Sequence, residues 1–282
     1  MTDTATAPTD PRDILARYRQ RRAQAVTAPK GNLALVNTQW ITGDPAAPGQ
    51  PIWGIPGLWS PLPAGQSGLK VTATPADDIV VDGTLVDGDA IVRGKDDANP
   101  SEVVFSDTVT GFVIASEEGD YALRVWDSNS EAIQDFGSID AFDFNPEWIV
   151  QAAFTPIEGG KTVGFEHLKD EGKTRDMVVP GEITFSKDGV DYNLAAFKAG
   201  RALQLVFSDS TNGDSTYSVG RFLFVAPNPD GTVTLDFNLA VLPPCAFSYN
   251  FNCPLPPAQN RFSVPIEAGE KNVLNKAGEL LH

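Results

Sequence analysis

From Gly31 onward the chain is cut every few residues by glycine, proline or an Asp-Gly pair, and the segments between these breaks alternate apolar and polar residues with a period of two. That period sends successive side chains to opposite faces of an extended strand, whereas an amphipathic helix needs a period near 3.6. NLALVNTQWI, GLKVTATP, DIVVDGTLV, DAIVRG, EVVFSDTVTGFVIA and YALRVWD therefore read as short strands. PGEITFSKDGVDYNLAAFKAG, ALQLVFSD, YSVGRFLFVA and TVTLDFNLAVL continue the pattern. Asp82-Gly83, Asp87-Gly88 and Asp188-Gly189 are expected as tight hairpin turns, and Asp230-Gly231 as another tight turn, because Asp and Gly tolerate the positive φ such turns need. Strands in mostly antiparallel order, with no helices between them, predict a mainly β fold: an antiparallel sandwich or irregular barrel rather than a parallel α/β fold.

The exception lies at the N-terminus. Asp10-Pro11 reads as a helix cap followed by proline at the first helical position, and Ile14, Leu15, Tyr18 and Val26 give DPRDILARYRQRRAQAV an apolar face. Arg17, Arg19, Arg21 and Arg22 lie on its other face, read as a solvated surface or one that docks on an acidic body. Residues 1–9 are expected to be a tail. Residues 10–115 then form the helix plus one β subdomain, 116–275 a second β subdomain, and 276–282 a C-terminal tail. The Pro/Gly-rich segment 43–68 is expected to be a loop whose Trp53 and Trp59 either pin it to the core or line a pocket.

Charge and missing motifs exclude several chemistries. The net charge of −16 opposes binding to a phosphate backbone or an anionic membrane surface. No stretch approaches the roughly 18 consecutive apolar residues that a membrane-spanning helix needs. The N-terminus lacks the basic and apolar regions of a secretory signal, so a cytoplasmic protein is expected. Its two cysteines, Cys245 and Cys253, are expected as free, buried thiols in a reducing compartment, with a disulfide between them as the alternative. No phosphate-binding loop, nucleotide or haem motif, nucleophile-elbow serine or zinc-protease helix is present. The histidines are His167, in a charged surface-like stretch, and the terminal His282. SDSTNGDSTYS (208–218) lacks the closing glutamate of a calcium loop and reads as an Asx-rich turn between strands.

What remains is a run of polar residues in rigid surroundings: Tyr217, Arg221, Asp236, Asn238, Asn260, Glu267 and Glu270. The period of two places Asp236 and Asn238 on one face of a strand, and Tyr217 and Arg221 on one face of another. If the strands are neighbours, Arg221 neutralises Asp236. The prolines around Cys245 and Cys253 make a stiff loop that would serve as a platform for Asn260.

Taken in order, F-S-D-S-T, T-Y-S-V-G-R, L-D-F-N, P-P-C-A-F, N-C-P-L-P-P, Q-N-R-F and I-E-A-G-E-K resemble the domain-of-unknown-function 1684 family of bacterial and archaeal proteins. The resemblance extends over most of the chain. This chain departs from the family at Ser218, where a glycine is usual, at Gln259, where an acid is frequent, and in a longer tryptophan-bearing region. Tyr217, Arg221, Asp236, Asn238, Asn260 and Glu270 match, so the resemblance implies a shared site and no substrate.

Three readings stay open at this point. In the first, Arg221, Asn238 and Asn260 bind a small anionic or carbonyl-containing metabolite while Asp236 or Glu270 acts as general acid or base and Tyr217 as a second proton donor. A variant has Asp236, Glu267 or Glu270 holding a divalent cation. In the second, the same residues form a non-catalytic pocket for a small-molecule ligand. In the third, they are a purely structural network.

Overall fold

The computed structural model describes residues 10–170 and 172–281. The expected tail at 1–9 and His282 lie outside the described residues. The chain is mainly β and its named sheets are antiparallel, as the alternation predicts, and it divides into two compact units. One comprises Ala25–Asp135; the other joins the N-terminal segment through Gln24 to Phe136 and everything after it.

Helix α1 (Pro11–Val26) begins as expected, with Asp10 Oδ1 accepting the Arg12 amide at 2.8 Å. It packs as part of the C-terminal unit. Leu15 is buried, Arg19 donates to the Phe142 carbonyl at 2.5 Å, and Arg22 donates to the Leu242 carbonyl at 2.9 Å. The basic face is therefore partly a docking face, and only Arg17 and Arg21 stay exposed among those four arginines.

The Ala25–Asp135 unit contains β1 (Leu35–Ile41), β2 (Gln50–Pro51), β3 (Leu58–Pro61), β4 (Leu69–Ala73), β5 (Val80–Val81), β6 (Thr84–Leu85), β7 (Gly88–Val92), β8 (Val103–Val104), β9 (Val109–Ala115) and β10 (Tyr121–Asp127). A short helix, α2 (Glu131–Asp135), ends the unit. One sheet has the order β1-β10-β9-β8-β5-β6 and the other β2-β3-β4-β7. Trp59, Val71 and Val92 from the second sheet share one core with Ile41, Val113 and Leu123 from the first, which makes a sandwich.

Several expectations change here. The 43–68 segment is not a plain loop, because β2 and β3 pair within it. Its tryptophans divide: Trp59 is fully buried, while Trp53 is 77% exposed. Asp82-Gly83 forms the expected hairpin, with φ of 50° and 79° between the paired Val81 and Thr84. Asp87-Gly88 does not, because β6 pairs with β5 and β7 with β4, so the chain changes sheets there. A boundary near 116 would cut the hairpin in which Ala115 faces Tyr121, so the division falls after Asp135 instead.

The C-terminal unit adds β11 (Phe136–Ala141), β12 (Ile149–Glu166), β13 (Thr174–Lys187), β14 (Val190–Ala199), β15 (Ala202–Phe207), β16 (Arg221–Val225), β17 (Thr232–Asp236) and β18 (Glu270–Asn275). Six of these form a half-barrel in the order β16-β15-β14-β13-β12-β17, and β11 pairs with β18. Asp188-Gly189 turns β13 into β14 with φ of 51° and 80°, the positive pair expected of that dipeptide. After β17 the chain returns to β16, where Phe222 and Val241 exchange backbone hydrogen bonds of 2.9 and 2.8 Å. Phe207, Phe237 and Phe262 meet edge to face in the core, at centroid separations of 5.2–6.1 Å. Residues 276–281 are not a loose tail: the Leu281 amide bonds to the Val273 carbonyl at 2.9 Å, folding the segment back on β18. Among the described residues, no helix is long and apolar enough to cross a membrane.

Candidate functional site

Arg221 opens β16 with its side chain wholly buried. Its partner is not Asp236 but Asp209, whose Oδ2 accepts from Nη2 at 2.6 Å. The expected pairing fails because β16 and β17 occupy opposite ends of the six-stranded sheet. The rest of the guanidinium binds backbone. It donates to the carbonyls of Ile266 at 2.8 Å, Ala268 at 2.5 Å and Glu270 at 3.3 Å, every second residue of the segment that leads into β18. The rings of Phe207 and Phe142 lie 5.2 and 5.8 Å from the guanidinium carbon. Burial lowers the pKa of Arg221, opposed by the Asp209 carboxylate. Its Nε has no hydrogen-bond partner among the described residues.

Asp209, in the Asx-rich turn expected at 208–218, completes this clamp. Its Oδ1 accepts from the Thr211 amide and hydroxyl at 2.9 and 2.6 Å, and from the Ile266 amide at 3.3 Å. The SDSTNGDSTYS segment is an Asx-rich turn as expected, with Asn212 Oδ1 accepting the Asp209 amide at 2.7 Å. The same turn also seats the counter-ion of a buried arginine. The clamped segment needs Gly269, at φ 85°, because a Cβ there would stand 2.7 Å from the carbonyl oxygens of Phe237 and Ala240.

The other candidates are internally engaged as well. Asn260 is fully buried and bridges two strands, donating to the Ala195 and Val206 carbonyls at 2.8 Å each and accepting the Ala195 amide at 2.9 Å. Asn238 holds the backbone of Asn145 through its Oδ1 at 2.7 Å and its Nδ2 at 2.9 Å. Asp236 caps the 3-10 turn Phe237–Leu239, accepting from the Asn238 amide at 3.0 Å and side chain at 2.8 Å. Because β17 ends at Asp236, strand alternation does not describe Asn238, and Tyr217 likewise precedes β16. Glu270 is 4% exposed. Its Oε1 accepts from Arg22 Nε at 3.0 Å and its Oε2 from the Leu242 amide at 2.7 Å. Burial raises the Glu270 pKa against the pull of Arg22. Glu267 is exposed.

Among the described residues, no group of three or more His, Cys, Asp and Glu side chains is placed to hold a metal ion. Asp236, Glu267 and Glu270 thus belong to no such group among the described residues.

Tyr217 differs from these. Half-buried, it donates through its hydroxyl to the Cys245 carbonyl at 3.2 Å, and burial holds its pKa well above the ordinary tyrosine value. It lines a cleft of about 380 Å³ together with Asp214, Thr216, Ser218, Tyr249 and Asn272. Tyr249 is 64% exposed, and Ala246, Val273 and Leu280 supply the apolar part of the wall. Among the described residues, no lysine or arginine lines this cleft. Cys245 and Cys253 are buried thiols, as expected.

Residues 134–271, which carry all of these groups except Arg22, Asn272, Val273 and Leu280, match the family described as "Protein of unknown function (DUF1684)". The chain belongs to this family. The matched residues include the clamp (Asp209, Arg221 and the 266–270 segment) and the asparagine bridges. An uncharacterised protein of Haloarcula marismortui, solved in solution by NMR, is 34% identical, over 48% of this chain and 77% of its own, with a TM-score of 0.40. No curated protein matches the chain.

Proposed function

We propose that the C-terminal unit is a non-catalytic module for a small uncharged or cationic ligand, bound in the cleft beside Tyr217 and Tyr249. The observation that carries this reading is the division among the candidate residues. Tyr217 lines the cleft, while Arg221, Asn238, Asn260 and Glu270 are buried in pairings within the fold. A general acid or base must come within hydrogen-bond reach of the reacting group. Both oxygens of Glu270 already accept hydrogen bonds from Arg22 and Leu242, and Asp236 serves as a cap.

The cleft's chemistry supports the ligand class. A volume near 380 Å³ falls within the ordinary range for small-molecule sites. Two tyrosine rings, an amide and two hydroxyls suit a polyhydroxylated or aromatic compound. A cation would be drawn to the ring faces and to the Asp214 carboxylate. An anion would meet that carboxylate with no lysine or arginine among the described lining residues to balance it. The net charge of −16 further favours a small-molecule partner over nucleic acid.

Titration calorimetry with myo-inositol, tetramethylammonium chloride and inorganic phosphate tests the reading. Binding of inositol or tetramethylammonium by the wild type, weakened at least about tenfold in Tyr249→Ala, is the expected result. Binding of phosphate alone, or affinity unchanged by Tyr249→Ala, would sink it.

A further inference from the structure

We propose that Cys245 and Cys253 are a reversible dithiol–disulfide couple, a redox modification site in the loop behind the cleft wall. They are the chain's two cysteines, and both are buried, at 1% and 3% exposure. The Cys245 amide donates to the Cys253 sulfur at 3.3 Å. With an N–Cα bond of about 1.46 Å, that sulfur lies within roughly 4.8 Å of the Cys245 Cα. This is close to the span that a disulfide bridges, so pairing needs side-chain rotation rather than refolding.

The flanking sequence maintains the proximity. Pro243 and Pro244 precede Cys245, and Pro254, Pro256 and Pro257 follow Cys253, limiting backbone freedom at both ends of the loop. The neighbouring Cys253 sulfur, and less strongly the Tyr217 hydroxyl, lower the Cys245 pKa, while burial opposes them. A thiol so placed forms the nucleophilic thiolate more readily. Burial selects a small oxidant, for which hydrogen peroxide is the simplest class.

The Cys245 thiolate attacks one peroxide oxygen: an S–O bond forms, the O–O bond breaks, and the departing hydroxide takes a proton to become water. The Cys253 thiolate then attacks the Cys245 sulfur, forming the S–S bond and releasing the sulfenic oxygen as a second water. Two thiols are oxidised and one peroxide is reduced. A dithiol reductant reverses the change. The Cys245 carbonyl accepts from Tyr217 and Ala246 lines the cleft, so the couple adjoins the ligand wall directly.

The full chain would be treated with a small excess of hydrogen peroxide, denatured, alkylated with N-ethylmaleimide and weighed intact. The expected product has lost two hydrogens, takes up no alkylating agent, and gives a Cys245–Cys253 cross-linked peptide. Dithiothreitol should restore two alkylation sites. In Cys253→Ser, the same treatment should leave a Cys245 sulfenic acid trapped by dimedone. Two alkylation sites after peroxide, a disulfide-linked dimer, or a sulfinic acid without the internal cross-link would each overturn the proposal; the wild-type measurement stands even if the variant fails to fold.

Discussion

Arg221 and Asp209 face each other at 2.6 Å with neither side chain exposed to solvent. An ion pair this deep is a poor source of net stability compared with apolar packing, yet removing one partner strands the other's charge in the interior. Here the arginine also holds three carbonyls of the 266–270 segment, and Asp209 holds the Ile266 amide. The pair therefore fixes the path by which the chain enters β18.

Arg221→Ala should destabilise the C-terminal unit by about 3–5 kcal/mol, and Asp209→Ala should fall in the same range. Joint replacement, Arg221→Met with Asp209→Leu, should be less damaging than the sum of the single changes, because no charge is left unpaired. Urea unfolding followed by tryptophan fluorescence reads all of these.

Asn260→Ala leaves the Ala195 amide and the Ala195 and Val206 carbonyls without their side-chain partner. A loss of about 1–3 kcal/mol per stranded group bounds the effect, and at least about 2 kcal/mol is expected overall. Asn260→Asp should be no better, since a carboxylate cannot donate to the two carbonyls. The same denaturation experiment measures it.

Glu270 sets a pH dependence of definite sign. Burial raises its folded pKa above the ordinary 4.5, so the folded state keeps this proton to higher pH than the unfolded chain does. The group's contribution is fully present below the ordinary value and is lost as pH rises through the folded value. Wild-type Tm should therefore fall relative to Glu270→Gln as pH rises from about 4 through that window. A gap between the two Tm curves that does not change with pH would refute this assignment.

Asp82, in the other unit, should behave oppositely. The Glu102 amide, together with Ser101 and Arg93, holds its carboxyl below the ordinary range. Its contribution is present above the unfolded pKa and lost as pH falls through the depressed folded value. Acid unfolding of Asp82→Asn should accordingly depend less on pH below about 4 than that of the wild type.

Much of the fold was legible because it follows from local chemistry. Period-two alternation marked most of the strands, Asp188-Gly189 and Asp82-Gly83 marked hairpins, and Asp10-Pro11 marked the start of α1. The division between units was not legible near 116, because the β9–β10 hairpin spanning that point is itself a local pattern, whereas the docking of α1 through Arg19 and Arg22 is long-range. At the site, composition and order identified Arg221, Asn238, Asn260 and Glu270 as unusual for strands. Their partners were hidden, since strand order and not sequence proximity decides which carboxylate meets Arg221. Asp209 carried a signal, an acid at the head of an Asx-rich turn within the F-S-D-S-T motif. That signal reads equally well as turn chemistry alone.

We propose that the buried polar motif residues hold the C-terminal unit together while the Tyr217–Tyr249 cleft receives the ligand. Amide chemical-shift mapping of the ¹⁵N-labelled full chain, titrated with tetramethylammonium chloride or myo-inositol, tests it most directly. Shifts confined to residues 213–218, 246–249, 272–273 and 280 are predicted. Shifts centred instead on Asp209, Asp236, Asn260 and Glu270, or none at the cleft, would contradict it.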